Sequence, residues 1–354
     1  MKKNLRIVLM LTLGLATTVS AQDWSVDSRT RVNSTEDATF NEQRVRTAVD
    51  FGGEAVSAHV ELNSAAVLGS YANQDFSLSV REAYATTDVM GFASLTAGRM
   101  ALTFGSGRIM GDNDWVQTNG NTFDGLLVGL NNDFADIHFG YSAADNTEST
   151  DVVSFPHDGS RMFLNIGKEM GAIGVNLFYM SAQDDVVNKD DVSMGLDASY
   201  AMDNGATLSL GYYTNENAGV EMDLTTLGVK YAVSDDLHIH AGYDMYGENG
   251  FYLSTGSFGN GYGSGMNYAN FDANRGECTD MSIGGSYAMG DFMVGATYHT
   301  IAPETDGVFN DITVMDLSVG YTLTENSSLS LNYASTDESG DDETQTWISL
   351  HIGF

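Results

Sequence analysis

The chain has 354 residues, with 48 acidic side chains against 15 basic ones and a formal net charge of −33. So acidic a chain argues against nucleic acid as a partner. The single Cys278 excludes an intramolecular disulfide framework and any multi-cysteine metal site. Beyond the first 21 residues no apolar run approaches the roughly 18 residues of a membrane helix. A membrane crossing therefore requires a closed β-barrel, because lipid offers no partner to unpaired backbone groups.

The chain opens with Lys2, Lys3 and Arg6, continues with an apolar stretch from Ile7 to Ala16, and reaches the small residues Val19-Ser20-Ala21. This order predicts a secretory signal peptide over 1–21, with the mature chain starting at Gln22. The apolar stretch is too short to span a bilayer.

From there one pattern repeats: about ten residues of alternating polarity, then turn residues. Strands are predicted at 24–32, 41–50, 54–62, 76–87 and 91–101. The first four carry Arg29, Arg31, Arg44, Arg46 and Arg81. Arg29 and Arg31 share the face opposite Val26 and Val32. Arg44 and Arg46 share the face opposite Val45, Thr47 and Val49. Arg81 lies opposite Leu78 and Val80 once the alternation slips near Glu82. The guanidiniums thus point to the polar side of neighbouring strands as a basic track. Such a track biases which solutes pass. Equally, each arginine can pair with an inward carboxylate such as Asp27, Asp50 or Glu61 and brace the wall. His59 shares a face with Ser57, and no orienting partner is evident for a nucleophilic site.

The connection 102–122 carries Arg108, Asp112, Asp114 and Trp115 among glycines that permit tight turns. It is expected to fold inward as a constriction. The run Gly98-Arg99, Phe104-Gly105, Arg108, Gly111, Asp114-Trp115 and Phe123-Asp124-Gly125, preceded by Glu82-Ala83-Tyr84, resembles a stretch of the alginate-export porin family. The similarity covers roughly 80–125; the rest matches only in barrel pattern. The resemblance implies a monomeric eighteen-stranded channel for an organic anion or polysaccharide. It also implies that Arg99, Arg108, Asp114 and Asp124 organise the pore.

Further strands are predicted at 123–131, 134–143, 160–169, 172–181, 191–201, 206–214, 222–232 and 236–245. The last places His238 and His240 on one face, which suits a metal only if a third ligand exists. None is recognisable, so they read as pore lining. The loop 246–278 is rich in Gly, Tyr, Phe and Asn, the composition of a binding surface. Then come 279–288, 291–299, 312–323, 328–336 and 344–354. The acidic stretch Asp337 to Glu343 lacks the spacing of a calcium loop and reads as loose counterion binding. In the final strand Thr346, Ile348, Leu350, Ile352 and Phe354 oppose Gln345, Trp347, Ser349, His351 and Gly353. A chain that stops on an aromatic in such a strand resembles the signal that barrel-assembly machinery reads.

The fold expected is all-β: a transmembrane, antiparallel, up-and-down barrel of about eighteen strands, sixteen being the alternative. Short connections such as Met170-Gly171 and Met289-Gly290 alternate with long ones, which implies a trimmed periplasmic rim and an elaborated external rim. Tyr200, Tyr231, Tyr287 and Tyr321 close the apolar face at one end. Tyr141, Tyr179, Tyr212, Tyr243, Tyr298 and Tyr333 close it at the other, as interfacial girdles. The expected function is passive diffusion of small hydrophilic solutes, organic anions or saccharides among them, across the bacterial outer membrane. The alternative is a surface adhesion or structural barrel acting through its external loops. No cofactor, resident metal or enzymatic activity is expected, and the barrel should be a monomer in outer-membrane lipid.

Overall fold

The computed structural model describes residues 22–35, 38–53, 55–68, 77–111, 122–145, 158–184, 189–217, 219–251, 276–305, 310–338 and 341–354. The predicted signal peptide, Asp112, Asp114, Trp115 and most of the 246–278 loop lie outside them. In chain order the strands are β1 Gln22–Thr35, β2 Thr39–Gly52, β3 Val56–Leu68, β4 Ser77–Val89, β5 Ala93–Met100 and β6 Phe123–Leu130. They continue as β7 Asp136–Asp145, β8 Asp158–Met170, β9 Ile173–Asp184, β10 Lys189–Ala201, β11 Ala206–Asn217 and β12 Val220–Ala232. The last six are β13 Leu237–Tyr246, β14 Cys278–Met289, β15 Phe292–Pro303, β16 Ile312–Thr324, β17 Ser327–Glu338 and β18 Asp341–Gly353.

Each strand pairs antiparallel with the next, and β1 pairs with β18 to close one 18-stranded sheet. Closure removes every edge, which is the condition for β-structure in lipid. The seam runs to the end of the chain, where Val26 and Phe354 exchange backbone hydrogen bonds of 2.6 and 3.0 Å. It brings Arg29 opposite His351 and Arg31 opposite Ser349. Side chains alternate as the period-two pattern requires. On β18, Ile348, Leu350 and Ile352 are exposed on the outer face, while Trp347 is 1 % exposed on the inner one. Tyr141, Tyr179, Tyr200, Tyr212, Tyr231, Tyr287 and Tyr298 all stand exposed on the outside, in keeping with interfacial girdles.

Two features differ from the sequence expectation. The strands outlast the ten-residue segments, most running to 12–14 residues. The β1–β2 ladder continues to Ser34 and Thr39, and β17–β18 to Glu338 and Asp341. Several connections expected to be long are therefore tight, and length parity holds at the β3–β4, β5–β6, β7–β8, β13–β14 and β15–β16 connections only. The cause is local: polar segments such as Asn33 to Thr35 pair as readily above the membrane as inside it. Conversely β5 and β6 are only 8 residues long, and β6 pairs with β7 over Leu126 to Leu130 alone. The chain leaves the wall there and turns into the barrel.

Candidate pore and its charged wall

The predicted slip is a β-bulge. Glu61 pairs with Glu82 and Leu62 with Val80, so Arg81 is the extra residue. The bulge turns both Arg81 and Glu82 toward the lumen. Around them β1 to β4 carry a ladder of ion pairs. Arg44 donates to Asp27 at 2.7 Å, and His351 reaches the other oxygen of Asp27 across the seam. Arg31 lies 3.8 Å from Glu42, which also accepts from Asn33 at 2.8 Å. Arg46 and Arg81 share Glu61 at 3.6 and 3.0 Å, and Arg81 also binds Glu82. Arg31, Arg44, Arg46 and Arg81 are all buried in the wall, and Arg29 faces Arg44 across the β1–β2 register.

The described part of the segment after β5, residues 101–111, crosses the lumen. Its root is held where the backbone N–H of Ala101 donates to Glu82 at 3.0 Å. Phe104 then lies among His138, Phe163 and Phe178, with ring centroids 5.3–5.8 Å apart. The backbone N–H of Ser106 donates to Asp197 at 3.2 Å, and its hydroxyl meets the Tyr213 hydroxyl at 2.7 Å. Tyr213 in turn donates to Asp197. Arg108 ends the span by donating to Asp244 at 2.7 Å, both side chains being less than a tenth exposed. Gly105 has φ +57°, and a Cβ there would collide with the Asp197 carboxylate, so this turn needs glycine for conformation and for space. Ile109 and Met110 are buried with Met100, Phe123 and Phe163. One side of the lumen is thus filled by packed side chains.

The remaining sequence candidates divide. Arg99 and Asp124 are not in the pore. Arg99 pairs with Ala83 in the β4–β5 register, one residue out of phase with the inward Glu82 and Tyr84, and Asp124 pairs with Arg99. Both therefore stand on the outer face. There Arg99 makes a two-pronged contact with Asp124 at 2.7 and 2.6 Å and donates to the Val80 carbonyl at 3.2 Å. Asp112 and Asp114 fall outside the described residues. The sequence gives no sign that Asp197 and Asp244 hold the loop. Tyr213, the buried Arg161 and the buried pair of His299 with Asp280 at 3.1 Å are further inward polar groups that no local pattern marks. His59 does have an orienting carboxylate, contrary to expectation: Asp50 lies 2.7 Å from its Nδ1. Asp50 is nine residues away, and only the β2–β3 register places it opposite.

A family model described as Gram-negative porin matches residues 246–353. None of the curated proteins compared with the sequence matches it. Among solved structures, Pseudomonas aeruginosa OpdK with vanillate superposes at TM-score 0.74 and 14 % identity, over 95 % of this chain and 99 % of that one. Pseudomonas aeruginosa OccK3 (OpdO) gives 0.73 and 15 %, over 98 % and 99 %. OccK8 (OprE) from the same organism gives 0.74 and 13 %, over 95 % and 98 %. The fold is that of an outer-membrane porin. The matched segment does not overlap 80–125, so the comparisons support the porin class and not the alginate-export family.

Proposed function

We infer that this porin-fold barrel is a passive channel of the bacterial outer membrane for small hydrophilic solutes, organic anions among them. One observation carries the reading. The 101–111 segment lies on Asp197 of β10 and Asp244 of β13, on the far side of the barrel from the arginine ladder at Arg44 of β2. It narrows the passage and engages acidic groups of one wall, while the arginines of β1, β2 and β4 occupy the other. The ladder arginines fix positive charge along that wall, and a charge held in a pore wall biases which ions pass. The presence of vanillate, an organic anion, in the OpdK structure is in keeping with this. A polysaccharide solute rests on the alginate-export resemblance alone, and two of its four implied pore residues face outward. Export by a 1–21 signal peptide, assembly through the strand ending at Phe354 and a monomeric state complete the proposal. Arg29, Arg31, Arg44, Arg46, Arg81 and Arg108 are its selectivity residues.

Reversal potentials across a planar bilayer under a salt gradient test it. The double variant Arg44→Gln with Arg46→Gln leaves Asp27 and Glu61 in excess, so the potential should move toward cation preference. An unchanged potential would assign the arginines to bracing alone.

A further inference from the structure

We propose that His59, Glu61 and Glu82 form a divalent transition-metal site in the pore wall, suited to zinc. β3 presents His59 and Glu61 on one face at positions i and i+2, and the register sets Glu82 directly opposite Glu61. Two carboxylates facing each other across strands repel unless a cation lies between them. Here Arg81 supplies that cation from the bulge, with Nη1 3.0 Å from Glu61 and also bound to Glu82. The pair is thus built around positive charge.

A ring nitrogen of His59 and one oxygen each of Glu61 and Glu82 lie within 4.8 Å of one another. Modest side-chain rotation brings such atoms to the roughly 2.0–2.2 Å at which zinc binds nitrogen and carboxylate oxygen. The histidine is already oriented. Its Nδ1 is 2.7 Å from Asp50, and its ring stacks on Tyr84 with centroids 5.1 Å apart. When Nδ1 donates to Asp50, the lone pair is on Nε2, the arrangement in which a histidine serves as metal ligand with a carboxylate behind it. Imidazole among the donors favours zinc over magnesium or calcium, which take oxygen. A metal here displaces the Arg81 guanidinium, and the nearby Arg46 opposes it, so the site is moderate in affinity. The other oxygen of Glu82 accepts from Ala101 at the root of the lumen-crossing segment. Binding is therefore felt by the constriction.

The test uses the full mature barrel, folded in detergent without a histidine tag. Calorimetry with zinc chloride should show one site, lost in His59→Ala and weakened about 10-fold or more in Asp50→Asn. His240→Ala, in another part of the wall, should bind as the parent does. Micromolar zinc should lower single-channel conductance, and equal magnesium should not. Parent-like zinc binding by folded His59→Ala, or by Asp50→Asn should His59→Ala fail to fold, would overturn the proposal. So would the absence of binding by the parent. Calorimetry decides the metal site even for a barrel that conducts no ions, so the two readings fail separately.

Discussion

Arg108 is the residue on which the constriction depends most. It and Asp244 come from positions 136 apart in sequence and meet at 2.7 Å with both side chains buried. Removing one partner of such a pair leaves an uncompensated buried charge, at a cost of about 3–5 kcal/mol. Arg108→Ala should therefore free the 101–111 segment, and single-channel recording should show a larger and noisier conductance. Gly105 is the second residue on which the segment's seating depends. Gly105→Val places a side chain at positive φ and against Asp197, so the segment should fail to seat and conductance should rise similarly. A drop in conductance from either variant would mean that the segment does not obstruct the path. That the segment turns inward was legible from its glycines and charges. Its partners were not, because nothing local links Arg108 to a strand eight further on.

The strand elements were legible because lipid forces a period-two pattern on one face and water permits anything on the other. Eighteen strands, the β1–β18 seam and the inward arginines of β1 and β2 all follow from that. Ile348→Lys, on the lipid side of β18, should destabilise the barrel by up to about 2–4 kcal/mol, as read from urea unfolding in lipid vesicles. What the pattern obscured was phase at a bulge. Arg81 and Glu82 both turn inward, so the strand after the slip resumes one residue later. Carried into β5 and β6, the true register puts Arg99 and Asp124 outside. Their role is structural. A bulge disturbs the ladder locally, and beside it Arg99 donates to the Val80 carbonyl from the adjoining strand β5. Arg99→Met should cost about 1–3 kcal/mol in unfolding free energy by removing the donors to that carbonyl and to Asp124. It should leave the reversal potential unchanged, which separates it from the ladder arginines.

At the scale of the whole molecule, the barrel is a ring of two unlike halves. The ladder of β1 to β4 balances arginines against Asp27, Glu42, Glu61 and Glu82. Across the lumen, Asp197 and Asp244 hold the inward segment, and Phe104, Phe163 and Phe178 wedge it against the wall. Composition alone disclosed the acidity but not this division, since a net charge of −33 carries no information on which acids face which arginines. The central claim is that a conducting barrel is narrowed by the segment between Met100 and Asp112. Single-channel conductance of the parent and of Arg108→Ala in planar bilayers tests it most directly. Discrete openings are expected for the parent and larger ones for the variant; a folded parent that opens no channel, or a variant whose openings are no larger, would contradict this.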